Sequence, residues 1–265
     1  MSLSRSFLFV PGDRPDRFDK AAASGAHAVI LDLEDAVQPQ AKAAARVAVA
    51  GWHGRGGAYV RINGMDTPWF EEDLALAQAH GLARLVIPKA EPGVLHTVRE
   101  RLGADVELIA LIETVAGLFE LRDACKAGVS RLAFGNLDFS VDAGVSEGEG
   151  ELDPVRLTLA LESRYANLPA PIDGVFPALS DADGLARQVR RAKSLGCGGK
   201  LCIHPAQVAV VNGGFVASPE EADWARRVLA AAEQSGGGVI SVDGKMVDRP
   251  VLLRARELLG AEGSF

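Results

Sequence analysis

Eight short apolar runs, each followed by a helix-like segment, constrain the fold of this chain more than any other feature. They cover 7–10, 28–31, 58–62, 85–87, 107–112, 132–134, 172–176 and 200–203, with amphipathic stretches such as 69–80, 94–102 and 181–195 between them. Strands that alternate with helices build βαβ units and a parallel sheet. The runs are apolar along their whole length, as strands buried on both faces are. Eight such units predict the α/β class and a (β/α)8 TIM barrel, with a doubly wound sheet as the alternative. Polar residues follow almost every run, at 11–14, 32–35, 61–63, 88–89, 113–114, 135–138 and 204–205. In a barrel all of these ring one cavity at the C-terminal face, where active sites of this fold lie.

After the eighth run comes a helical stretch, 219–232, and then Gly236, Gly237 and Gly238. Residues 239–242 and 245–247 flank Asp243-Gly244 and read as a small hairpin. A last helix follows Asp248, over 249–259. The expected organisation is a catalytic barrel over 1–235 and a C-terminal extension over 236–265. The extension reads as a lid or a subunit-swapped arm, or more plainly as a cap.

Composition excludes several classes. A net charge of -7 argues against a general nucleic-acid binder, which needs a basic surface. No apolar run approaches the roughly 18 residues of a membrane span. Cys125, Cys197 and Cys202 form no CxxC pair, which points to a reducing compartment. With no signal-peptide pattern at the start, a soluble cytoplasmic protein is expected.

The stretch from Glu107 to Asp138 reads as strand, helix and strand, and each strand ends in a carboxylate. Glu113 and Asp138 thus fall on the same face of a parallel sheet and can share one hard cation, since Mg²⁺ is held by one or two carboxylates plus substrate oxygens. The plain alternative is that Glu113 caps a helix and Asp138 fixes a loop. Arg61, at the third strand's tip, suits a substrate carboxylate held bidentately, with an ion pair to Asp32 or Glu34 as its structural alternative. The turn Gly135-Asn136-Leu137-Asp138 begins a helix whose free N–H groups can donate to carboxylate oxygens, with an ordinary αβ turn as the alternative. Asp32, Glu34 and Asp35 would orient metal-bound water or Lys89 from outside the metal's own ligands. Lys89 would neutralise substrate charge or pair with that acidic turn. His204 reads as a buried, hydrogen-bonded turn residue.

In this order, these residues resemble the citrate lyase beta subunit-like branch of the HpcH/HpaI aldolase family. The resemblance rests on Arg5-Ser6-Phe7-Leu8-Phe9-Val10-Pro11-Gly12, Leu31-Asp32-Leu33-Glu34-Asp35-Ala36-Val37, Val60-Arg61-Ile62-Asn63 and Ile87-Pro88-Lys89. It continues through Ile112-Glu113-Thr114, Phe134-Gly135, Cys202-Ile203-His204-Pro205 and Gly244-Lys245-Met246-Val247-Asp248-Arg249-Pro250. It implies a (β/α)8 barrel assembled as trimers or hexamers, with Mg²⁺ on Glu113 and Asp138 and a CoA thioester as substrate. It also implies that Arg14, Arg17 and Lys20 meet CoA phosphates, and that Asp248 is a general acid/base placed over a neighbouring subunit's metal site. Asp248 also suits the start of a proline-led helix. Many relatives carry Ala-Glu where this chain has Asn136-Leu137.

The expected function is therefore a Mg²⁺-dependent carbon–carbon lyase. It would cleave a malyl-, citramalyl- or citryl-type 3-hydroxyacyl-CoA into acetyl-CoA and a 2-oxo acid. The alternatives are an acyl-CoA thioesterase, a CoA-independent 2-oxo acid aldolase, a citrate lyase beta subunit acting on a carrier-bound thioester, and a non-catalytic acyl-CoA or oxo-acid binding protein.

Overall fold

The computed structural model describes residues 3–53, 57–146, 148, 150–235 and 240–260. Its strands are β1 (Ser6–Pro11), β2 (Ala28–Asp32), β3 (Tyr59–Arg61), β4 (Arg84–Ile87), β5 (Glu107–Ile112), β6 (Arg131–Phe134), β7 (Ile172–Asp173) and β8 (Gly199–Cys202). They close in sequence order into a barrel, and every neighbouring pair, β8 to β1 included, is parallel. The period of two divides each strand between two apolar environments. Phe7, Ile30, Tyr59, Val86, Ile109 and Leu111 pack with one another in one cluster, inside the barrel. Leu8, Leu31, Val60, Leu85, Leu108 and Leu132 join the larger cluster shared with the helices. Both faces are dry, which is why the strands carry no alternation of polar residues.

The seventh strand is shorter than expected. The run 172–176 predicts five residues, but ladder pairing stops at Asp173. Beyond it the backbone of Val175 is bonded to a side chain: its N–H donates to Asn136 Oδ1 at 2.7 Å and its carbonyl accepts from Asn136 Nδ2 at 3.3 Å. An amide takes the place of a neighbouring strand. Gly174 makes this possible, because a Cβ there would stand 1.9 Å from Asn136 Oδ1.

Between the barrel and its helices lies a buried ionic cluster. Asp173 accepts from Lys200 Nζ at 2.5 Å and from Arg156 Nε at 2.7 Å. Burial works against the Asp173 charge, but Lys200 and Arg156 overcome it and hold its carboxyl below the usual range.

Contacts divide the chain into Leu3–Phe215 and a second unit from Val216 onward. The helix Pro219–Gln234, which the sequence reading kept with the barrel, buries Ala225 and Val228 against Val247 and Ala255 of the second unit. That unit also holds the hairpin β9 (Ile240–Val242) and β10 (Lys245–Val247), and the helix Arg249–Leu258. The glycine run 236–238 and Val239 lie outside the described residues. Among the described residues no helix is long and apolar enough to cross a membrane.

Candidate active site

The tips of β1, β2, β3, β5, β6 and β8 enclose a cavity of about 360 Å3 at the C-terminal end of the barrel. Its polar side is built from β2 outward. Asp32, the last residue of that strand, closes the following turn by accepting the N–H groups of Glu34 at 2.9 Å and Ala36 at 3.3 Å. The same carboxylate grips Arg61 bidentately, Nε at 2.8 Å and Nη2 at 2.6 Å. Nη1 of Arg61 stands 2.9 Å from Glu34 and 3.5 Å from Asp35, and the guanidinium lies over the Phe9 ring, 4.8 Å from its centroid. The ion pair with Asp32 and Glu34 is thus present, and Arg61 nevertheless lines the cavity. Burial works against its charge, but Asp32, Glu34 and Asp35 together overcome it and raise its pKa.

Glu34 fares differently. Burial pushes its carboxyl up to about 9, Arg61 pulls it down, and Glu113, Asp35 and Asp32 push it further up. Asp32 holds one edge of that guanidinium through Nε and Nη2, and the pull of Nη1 on Glu34 is smaller than the cost of burial. Glu34 Oε2 is buried without a hydrogen bond of good angle among the described residues.

Glu113 follows β5 directly and is 3% exposed. Its Oε1 accepts the backbone N–H of Lys89 at 2.8 Å. Burial raises its carboxyl to about 7, with Arg61 and the Lys89 amide pulling down and Asp138 and Asp35 pushing up. Gly135 is packed against it, since a Cβ at 135 would lie 2.5 Å from Glu113 Cβ and 2.6 Å from Oε2. Asp138 is exposed and sits in the first turn of the helix Asn136–Ala143, where Gly135 is the N-cap without any side-chain cap. The first intrahelical bond runs from the Phe139 N–H to the Gly135 carbonyl, so the amides of 136–138 precede it. Leu137 and Asp138 line the cavity beside Glu113.

Other expected residues are placed otherwise. The Lys89 side chain turns away from the acidic turn and pairs with Asp66 at 2.8 Å, a hydrogen bond that raises its pKa; only its backbone serves Glu113. The Asn136 side chain is spent on Val175. Arg14 pairs with the exposed Asp16 at 2.9 Å, while Arg17 and Lys20 are exposed on the turn and helix that follow β1. His204 is hydrogen-bonded, as expected, but exposed and not buried: it caps the helix Pro205–Gly214, its Nδ1 accepting the Ala206 N–H. Asp248, on the second unit, is exposed and caps the helix Arg249–Leu258 through the Val251 N–H at 3.2 Å.

Lys42 was missed. Buried at the start of the helix Lys42–Trp52, it donates to the carbonyls of Leu33 at 2.7 Å and Glu34 at 2.8 Å and to Asn63 Oδ1 at 2.7 Å. It fixes the acidic turn from below. In sequence it is one lysine at a helix start, with no signal to separate it from a solvated one. The apolar wall of Val175, Leu201 and Ile203 was equally silent, being ordinary core in composition.

The donor set fits a hard divalent cation. Glu113 is held near neutrality by burial and by the carboxylates around it, which a bound cation would relieve. Among the described residues no group of three or more His, Cys, Asp or Glu is placed to hold a metal. Two carboxylates, with water and substrate completing the shell, match Mg²⁺ and not a closed zinc or calcium cage.

Comparison with known proteins agrees with this geometry. The family model described as HpcH/HpaI aldolase/citrate lyase matches residues 5–205. A citrate lyase subunit beta-like protein of Deinococcus radiodurans is 38% identical, over 98% of this chain and 98% of its own length. A (3S)-malyl-CoA thioesterase of Cereibacter sphaeroides is 34% identical, over 96% of this chain and 93% of its own length. Among solved structures, the CitE protein of Mycobacterium tuberculosis in complex with magnesium, acetoacetate and coenzyme A superposes with a TM-score of 0.86 at 33% identity, covering 98% of both chains. The barrel, its carboxylate-rimmed mouth and these full-length similarities together make the chain a member of the HpcH/HpaI aldolase/citrate lyase family.

Proposed function

We propose that this chain is a Mg²⁺-dependent carbon–carbon lyase that cleaves a 3-hydroxyacyl-CoA into acetyl-CoA and a 2-oxo acid. The observation that carries the reading is the pair Glu113 and Asp138 at adjacent strand tips, in one cavity with Arg61 and the first turn of the helix Asn136–Ala143. The magnesium and coenzyme A bound to the similar CitE protein support it.

Glu113 and Asp138 would hold Mg²⁺, which when bound offsets negative charge on the carboxylate and hydroxyl oxygens of the substrate. Arg61 contributes a fixed cation at the cavity wall, oriented by Asp32 so that no reorganisation is needed as charge develops. The N–H groups of 136–138 donate to a carboxylate oxygen without adding a charged side chain. In cleavage a base takes the proton of the 3-hydroxyl, the oxygen becomes the oxo group of the 2-oxo acid, and the bond from its carbon to the thioester α-carbon breaks. The electron pair passes to the thioester as an enolate, whose α-carbon then takes a proton. The resemblance assigns that proton to Asp248. Arg14, Arg17 and Lys20 are assigned the CoA phosphates on the same basis, and a trimer or hexamer the assembly.

Incubation with Mg²⁺ and malyl-, citramalyl- and citryl-CoA tests the reading. Acetyl-CoA with a 2-oxo acid is expected. Free CoA with the hydroxy acid intact would make the protein a thioesterase, like the Cereibacter relative. Ligand binding without turnover would leave only a binding protein.

A further inference from the structure

The cavity is unevenly furnished. Among the described residues four carboxylates line it, those of Asp32, Asp35, Glu113 and Asp138, against one cationic side chain, Arg61. Arg61 is already engaged by Asp32, Glu34 and Asp35. Asn136 is the one neutral polar side chain of the lining, and both ends of its amide are taken by the Val175 backbone. One divalent cation on Glu113 and Asp138 would still leave the lining with a negative surplus. The lining also includes Leu137, Val175, Leu201 and Ile203, with no donor among their side chains.

A second carboxylate on the oxo-acid half would therefore meet either anions or hydrocarbon. Desolvating a charge against an apolar wall without a partner is heavily disfavoured. A methyl or ethyl group on the same wall would be favoured instead, by the ordinary gain of apolar burial. We infer that the cavity is specific for a 2-oxo acid half with a single carboxylate and a short alkyl tail, and that Leu137 is the residue that sets this preference. Leu137 stands in sequence between Asp138, assigned above to the metal, and the clamped Asn136, in the first turn of the helix Asn136–Ala143, and it lines the cavity. An oxo acid held by its carboxylate on that turn would bring its tail against the Leu137 side chain. The inference rests on the lyase reading above and narrows its substrate.

The full-length protein, saturated with Mg²⁺, is titrated calorimetrically with glyoxylate, pyruvate, 2-oxobutyrate and oxaloacetate. Pyruvate and 2-oxobutyrate should bind about tenfold or more tighter than glyoxylate, the usual worth of a methyl group in an apolar pocket. Oxaloacetate should bind more weakly than pyruvate. Oxaloacetate binding as tight as pyruvate overturns the inference while leaving the lyase reading standing. Failure of all four to bind overturns that reading, and the inference with it. Leu137→Ala should lose most of the preference for 2-oxobutyrate over glyoxylate without loss of thermal stability, since Leu137 is partly exposed. An unchanged ratio in Leu137→Ala overturns the role of Leu137.

Discussion

The amide N–H of Lys89 reaches Glu113 Oε1 at 2.8 Å from a backbone turned left-handed, φ 43°, on a residue that is not glycine. Such a conformation is disfavoured for a residue with a Cβ and persists where surrounding contacts impose it. Here the side chain is anchored on Asp66, and the carbonyl of Lys89 accepts from the Glu91 N–H at 2.7 Å. Lys89→Gly keeps the amide and suits the conformation, so Mg²⁺ affinity should be unchanged. Lys89→Val forces a β-branched side chain into the left-handed region at a cost of about 1–2 kcal/mol. Magnesium titration should then show weaker binding, and urea denaturation a lower midpoint. Equal Mg²⁺ affinity in Lys89→Val and wild type would mean that the amide does not position Glu113.

Glu113 itself should show the trade between stability and function. Its folded-state pKa is raised to about 7 from an ordinary 4.5, so the folded chain keeps a proton that the unfolded chain has released. Stability of the metal-free protein therefore falls as pH rises through that interval and is level above it. Glu113→Gln removes the buried charge and should be more stable than wild type at pH 8 without metal. Mg²⁺ at a hundredfold excess over its Kd should stabilise the wild type by about 2.7 kcal/mol. The variant should show no such response in calorimetry. A Glu113→Gln protein that still binds Mg²⁺ as the wild type does would take Glu113 out of the metal site.

Glu34 extends the same effect to higher pH. Its folded-state value of about 9 lies above the ordinary 4.5, so the folded state again binds the extra proton between the two. Stability is present in full at the acid end of that interval and declines toward pH 9. Urea midpoints of the metal-free protein at pH 7 and 9 should fall in the wild type, and fall less in Glu34→Gln. Much of the Glu113 titration lies below this interval, and its remainder is common to the wild type and Glu34→Gln, so the difference between the two slopes reports Glu34. Parallel curves would assign the slope to other groups.

The barrel and the rim of its mouth were legible because both rest on local rules. Eight doubly buried strands can be read from apolar runs, and polar residues at strand tips follow from the chain's need to turn. Arg61 ends a strand, Glu113 follows one directly and Asp138 lies in the helix turn just past one, so their place at the mouth could be read from the strands. What was not legible depends on where side chains go after the strand has ended. Lys89 offered a charge and turned out to serve through its amide. Asn136 was read for the backbone amides of its turn, and that its side chain takes the place of a strand beside Val175 has no signal in the sequence. Lys42 is a common residue in a common position, and only the folded turn above it gives it a purpose. The exposure of His204 depends on how its cap sits at the rim, which no local pattern encodes.

Lys200 and Asp173 supply a test of stability away from the cavity. Lys200 is 0% exposed, and its Nζ meets Asp173 at 2.5 Å, with Arg156 on the other carboxylate oxygen at 2.7 Å. The Asp173 carboxyl lies below its ordinary value, so this cluster is stabilising above the unfolded carboxylate pKa and is lost as pH falls through the folded one. Removing one partner leaves a buried charge only half compensated, at a cost of about 3–5 kcal/mol. Lys200→Met should lower the urea midpoint by that measure while Mg²⁺ binding at low temperature persists, because neither residue lines the cavity. The double variant Lys200→Met with Asp173→Leu should recover part of the loss, since it removes the half-compensated carboxylate, while Arg156 keeps Asp153 at 3.5 Å. A double variant as unstable as the sum of the two single ones would show that the cluster holds the β7–β8 edge through shape and not through charge.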